Sequence, residues 1–165
     1  MNYFYLFVSL YLSILVFKVL LTVVKPKDKK ITQAIDLSQV TIVQPILSGD
    51  PTLEDTLTYN LHANSEVNYL WLIDDSDTKA QELTHMLKQD FQHINIKIIS
   101  YRDCPDKINP KVFKLNQGLK KVLTDYVIIL DDDAMLQPET LQDLVINLKE
   151  NDLTTGLPIY KDNDN

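Results

Sequence analysis

Residues 125–136 read DYVIILDDDAML, and this stretch decides the fold. From Tyr126 to Leu130 it is apolar or aromatic without a break, and it then meets Asp131, Asp132 and Asp133. Such a run suits a strand covered on both faces, the usual environment in a parallel sheet. The same pattern occurs upstream, where Val67–Asp74 reads VNYLWLID and continues into Asp75, Ser76 and Asp77. Val40–Pro45 and Ile94–Ser100 are two further strand-like runs, and a weaker one lies near Leu153–Ile159.

Helical spacing fills the intervals. Asp50-Pro51, a capping residue followed by proline, predicts a helix that runs to about His62. Ala80, Leu83, Leu87 and Phe91 mark a second helix, Val112, Leu115, Leu119 and Val122 a third, and Leu141, Leu144, Val145 and Leu148 a fourth. Alternating strands and helices of these lengths predict an α/β domain, a mostly parallel sheet with helices on both faces. The chain has 165 residues, one domain's worth. With 3 glycines it has no Gly-rich phosphate loop, which argues against a dinucleotide-binding Rossmann site or a P-loop.

Ahead of this domain, Tyr3–Val24 is apolar except for hydroxyls and Lys18. At ~1.5 Å per residue it spans about 33 Å, enough for a bilayer core. Lys18 can snorkel to one interface, while Tyr3, Tyr5 and Tyr11 suit the other headgroup belt and its leaflet. A cleaved signal peptide fits poorly, because no basic residue precedes the run, the run is too long and no small-x-small site comes after it. The expected organisation is one transmembrane anchor at 3–24, a basic and polar linker at 25–39, a folded domain at 40–160 and a polar tail at 161–165. The cluster KPKDKK at 25–30 places the folded domain on the cytoplasmic side.

Charge divides the same way. Residues 1–30 hold five lysines and one aspartate, so of the net -7 the remaining residues carry -11. That excess repels a phosphate backbone and argues against general nucleic-acid binding. Cys104 is the only cysteine, so no intrachain disulfide forms and a cysteine zinc site is not expected. His62, His85 and His93 lack metal-ligand spacing and read as surface or boundary residues.

In open parallel sheets ligands bind beyond the carboxyl ends of strands, where both acidic clusters fall. Adjacent carboxylates repel and lose solvation unless a cation neutralises them, and Mg2+ or Mn2+ takes one or two carboxylates together with substrate phosphates. In an extended turn Asp131 and Asp133 face one side while Asp132 faces away. The competing reading is strand termination and capping, for which Asp77 is well placed ahead of a helix at Thr78. Lys111, at the start of the third helix after Lys107-Ile108-Asn109-Pro110, can reach a diphosphate, where the helix N-terminus adds partial positive charge.

Taken in order, VTIVQPILSGDPTLEDTL, YLWLIDDSDTKA, INPKVFKLNQGL, DYVIILDDDAMLQPETL and TGLPIY make the chain resemble the N-terminal part of a membrane-anchored family 2 glycosyltransferase of the GT-A fold, in particular the ceramide glucosyltransferase-like and hopanoid-type membrane group. The resemblance extends from the apolar span to about Tyr160. It implies that Pro45 and one of Asp74 or Asp75 bound a uracil pocket, that Lys111 approaches the donor diphosphate, and that Asp131 and Asp133 hold Mg2+ or Mn2+ on it. Gln44 stands where relatives usually carry a basic residue. The implied activity is inverting transfer from a nucleotide-sugar donor to a lipid-like acceptor. The family's general base, a third Asp, and its Gln/Arg-x-x-Arg-Trp motif are expected beyond Asn165, so 40–160 reads as the donor-binding half, with a downstream-encoded half as a partner. A catalytically silent fragment that binds nucleotide or a partner is the alternative. A receiver-like phosphoacceptor domain fits worse, since no later strand presents the lysine it would need.

Overall fold

A computed structural model describes residues 2–23, 35–102 and 104–159. The chain divides into two units, Met1–Gln33 and Ala34–Asn165. In the first, helix α1 (Asn2–Val23) carries the apolar stretch Tyr3–Leu20, none of which is buried within the protein. The Ser13 hydroxyl donates to the Ser9 carbonyl at 2.9 Å, which satisfies a polar group inside the helix as an apolar solvent requires. Most of the expected linker, with its KPKDKK cluster, and the whole 161–165 tail lie outside the described residues.

The second unit is an α/β layer structure. Strands β1 (Val40–Pro45), β2 (Asn68–Asp74), β3 (Ile96–Tyr101) and β4 (Tyr126–Ile129) form one parallel sheet in the order β3-β2-β1-β4. Helices α2 (Leu53–Ala63), α3 (Thr78–Asp90), α4 (Pro110–Leu119) and α5 (Pro138–Leu148) connect or follow them. Side chains alternate across the strands. Val40, Ile42, Tyr69, Trp71, Ile73 and Ile128 face a core with α2, α3 and α5, while Val43, Leu70 and Leu72 face Leu115 of α4 and Val122. The expected helices on both faces are therefore present.

Several local expectations need correction. Asp50 does not cap α2; its carboxylate accepts the Thr52 amide and hydroxyl, both at 2.7 Å, and the helix begins after this turn, at Leu53. The strand expected near Leu153–Ile159 does not form, and Leu157 and Ile159 are 90% and 92% exposed. In α4, Val112 and Leu119 face solvent, and the buried positions are Lys114 and Gly118. Gly118 allows close approach to β2, because a Cβ there would sit 2.6 Å from Leu72 Cδ1, a side chain with no exposure. Gly118→Ala gains helix propensity but overpacks this contact, so a net loss of about 1 kcal/mol is expected in thermal or urea unfolding.

Candidate active site at the strand ends

The chain lays down β1, β2 and β3 in one direction and then crosses back to place β4 on the other side of β1. The carboxyl ends of β1 and β4 thus flank the switch point where such sheets bind ligands. Pairing continues to this level, with the Leu130 amide donating to the Val43 carbonyl at 3.1 Å.

Asp131 lies just past β4, and its Oδ1 accepts the Lys111 ammonium at 2.7 Å. Both side chains are about half exposed, 49% for Lys111 and 55% for Asp131. Asp132 has a different partner, its Oδ2 accepting the Leu47 amide at 2.9 Å. Asp133 is exposed. Behind the turn, Gln44 is fully buried, donates to the Asp131 carbonyl at 3.4 Å and accepts the Trp71 indole N–H at 3.1 Å. It braces the turn from inside and is not presented to a ligand. Asn60 holds the next loop by donating to the Ala134 carbonyl and accepting the Leu136 amide, at 2.9 and 2.8 Å.

The first acidic cluster separates into three roles. Asp74 ends β2 on the α4 face and pairs with the buried Lys114 ammonium at 2.9 Å, the side chains being 30% and 5% exposed. Asp75 is exposed and pairs with Arg102 at 2.9 Å. Asp77 caps α3 through the Ala80 amide at 3.1 Å and accepts the Ser48 amide at 2.7 Å, so it also holds the loop after β1. Burial opposes ionisation of Asp77, but the hydrogen bonds from Ser48 and Ala80, aided by Lys114, outweigh it and hold its pKa below the ordinary 3.8. A carboxyl lowered on folding stabilises fully above its unfolded pKa and loses that contribution as pH falls through the folded value. Asp77→Asn keeps the cap without the titration, so its melting temperature is expected to fall less steeply than that of wild type below pH ~4.

Pro45 is buried at the end of β1, opposite Leu72, so it contributes floor rather than exposed wall. At the start of α4 the Asn109 side chain accepts the amides of Lys111 and Val112, so the ammonium that rests on Asp131 is the charged donor at this helix end. The three histidines are exposed. Lys114, Arg102 and the hold of Asp77 and Asp132 on the Ser48 and Leu47 amides escaped the sequence reading, whereas the Asp77 cap of α3 is as expected. Lys114 had one usable signal, its place three residues after Lys111 on the same helix face.

For a divalent ion, Asp131 and Asp133 offer hard oxygen ligands, and the ammonium on Asp131 shows that positive charge is accommodated there. Among the described residues no group of three or more His, Cys, Asp or Glu could hold a metal. Two exposed carboxylates are thus present at this turn, fewer than a complete metal shell, which would need further oxygens.

A sequence profile described as glycosyl transferase family 21 matches residues 4–164. Poly-beta-1,6-N-acetyl-D-glucosamine synthases of Staphylococcus aureus strains COL and N315 are each 27% identical over 115 residues, 69% of this chain and 26% of theirs. The chain thus spans about a quarter of the length of these relatives. A solved mannosyltransferase from Pyrobaculum calidifontis in complex with GDP-Man and Mn2+ superposes with a TM-score of 0.56 over 74% of this chain and 35% of its own, at 19% identity, which supports the GT-A-like fold. Since the profile takes in both the apolar helix and the whole sheet, the chain belongs to glycosyl transferase family 21.

Proposed function

We propose that this chain is the donor-binding half of a membrane-anchored, inverting, metal-dependent glycosyltransferase of the ceramide glucosyltransferase-like group, which transfers sugar from a UDP-sugar to a lipid-like acceptor. The observation that carries this reading is the meeting of Lys111 and Asp131 at 2.7 Å at the switch point, with Asp133 two residues on. Asp131 and Asp133 hold Mg2+ or Mn2+, and the bound ion supplies charge stabilisation to the departing diphosphate. Lys111 adds a second positive charge where negative charge develops. Of the two candidate base contacts, Asp74 is committed to buried Lys114, so exposed Asp75 is the one available to a ligand. Uracil presents an N–H donor beside carbonyl acceptors, and the Asp75 carboxylate and Arg102 guanidinium offer the complement. Pro45 forms the floor beneath.

In this reading residues 3–24 anchor the chain, 25–39 link, 40–160 bind the donor and 161–165 form a tail, with the folded part facing the cytoplasm. The base that deprotonates the acceptor comes from a downstream-encoded half. Calorimetric titration of the full chain in detergent with UDP, with and without Mn2+, tests the donor site. Metal-dependent binding is expected, and its absence overturns the reading. The alternative is a catalytically silent nucleotide- or partner-binding fragment. Consumption of UDP-sugar in the presence of lipid acceptors by this chain alone rejects the silent alternative.

A further inference from the structure

Lys111 holds the carboxylate that a divalent ion would use. Its ammonium lies 2.7 Å from Asp131 Oδ1, taking one of the two oxygens open to an ion that ligates at ~2.1 Å and setting a second positive charge beside the other. We propose that Lys111 is a place-holding cation that keeps Asp131 neutralised until donor and metal arrive together, then exchanges its carboxylate for the donor diphosphate. This rests on the donor-site reading above and adds a definite order of partners to it.

Four features support the exchange. The pair is half exposed on both sides, so breaking it is easy, and the lysine stem has room to swing. Lys114 is 5% exposed and locked to Asp74, and cannot take this part. The carboxylates are also too few for tight metal binding alone, since no third His, Cys, Asp or Glu joins them among the described residues. Ions of this kind complete their shell with substrate phosphates. Finally, Asn109 already occupies the amides of Lys111 and Val112, so the ammonium is the group at this helix end that can follow the diphosphate. Metal and nucleotide therefore bind as a coupled pair. The Lys111 ammonium leaves Asp131 and takes the diphosphate as its new partner, and the diphosphate would supply the oxygens that two carboxylates lack.

The test is Mn2+ binding to the full chain in detergent, read from the free-ion electron paramagnetic resonance signal, with and without UDP. Lys111→Met removes the competitor, so Mn2+ alone is expected to bind about threefold more tightly than in wild type. The tightening of Mn2+ by UDP is expected to shrink about tenfold, through loss of the charged bond to phosphate. Lys111→Arg retains a cation on Asp131 and is expected to leave the affinity for Mn2+ alone near the wild-type value. If Lys111→Met binds Mn2+ alone no more tightly than wild type, the exchange is overturned while the donor site stands. If wild type shows no Mn2+-dependent binding of UDP, both fall.

Discussion

Replacing both Asp131 and Asp133 with asparagine is expected to remove metal-dependent UDP binding, lowering affinity at least about 100-fold while thermal stability stays within about 0.5 kcal/mol of wild type. Each carboxylate supplies a charged ligand, and two such losses of about 1.5 kcal/mol or more account for the factor. The fold tolerates the change because both side chains are exposed and what braces the turn is the Asp131 backbone carbonyl, held by Gln44. Asp132→Asn is the matched control. Its side chain keeps an oxygen for the Leu47 amide and is not one of the two proposed ligands, so donor binding is expected to change little. Calorimetry with UDP and Mn2+ checks both variants, and unchanged affinity in the double variant would refute the assignment of Asp131 and Asp133.

The two acidic clusters show what sequence can and cannot say about such a site. The ends of β1 were legible to the residue because Val40, Ile42 and Val43 give it β-branched strand character and Pro45, which cannot donate to a ladder, closes it. The 153–159 segment, the weaker of the expected runs, forms no strand. Strand propensity is largely the packing of side chains against neighbouring strands, and no described strand pairs with this segment. Asp131 and Asp132 take different partners, Lys111 and the Leu47 amide, as side chains that alternate would. The choice between Asp74 and Asp75 does not follow from alternation, because it depends on which carboxylate lies over α4, and therefore on the tertiary placement of Lys114. That lysine was hidden by the expectation that Val112 and Leu119 would form the packed face of α4.

The division between Asp74 and Asp75 has a thermodynamic consequence that can be measured without any ligand. Asp74→Asn strands the Lys114 ammonium in a site where its side chain is 5% exposed, and an unpaired buried charge of this kind costs about 3 kcal/mol. For a domain of this size the melting temperature of the full chain is expected to fall by about 10 °C. Lys114→Met is milder, because the Asp74 side chain it leaves behind is 30% exposed and can be hydrated. The double variant Asp74→Asn with Lys114→Met is expected to recover most of the loss, since the stranded charge is then gone. Asp75→Asn breaks only an exposed pair with Arg102, worth less than about 1 kcal/mol, and its expected effect is on UDP affinity instead. If Asp74→Asn melts like Asp75→Asn, the ammonium of Lys114 has found another partner or solvent. Asp74 is then no longer bound to a structural role, and the base contact has to be assigned again between the two.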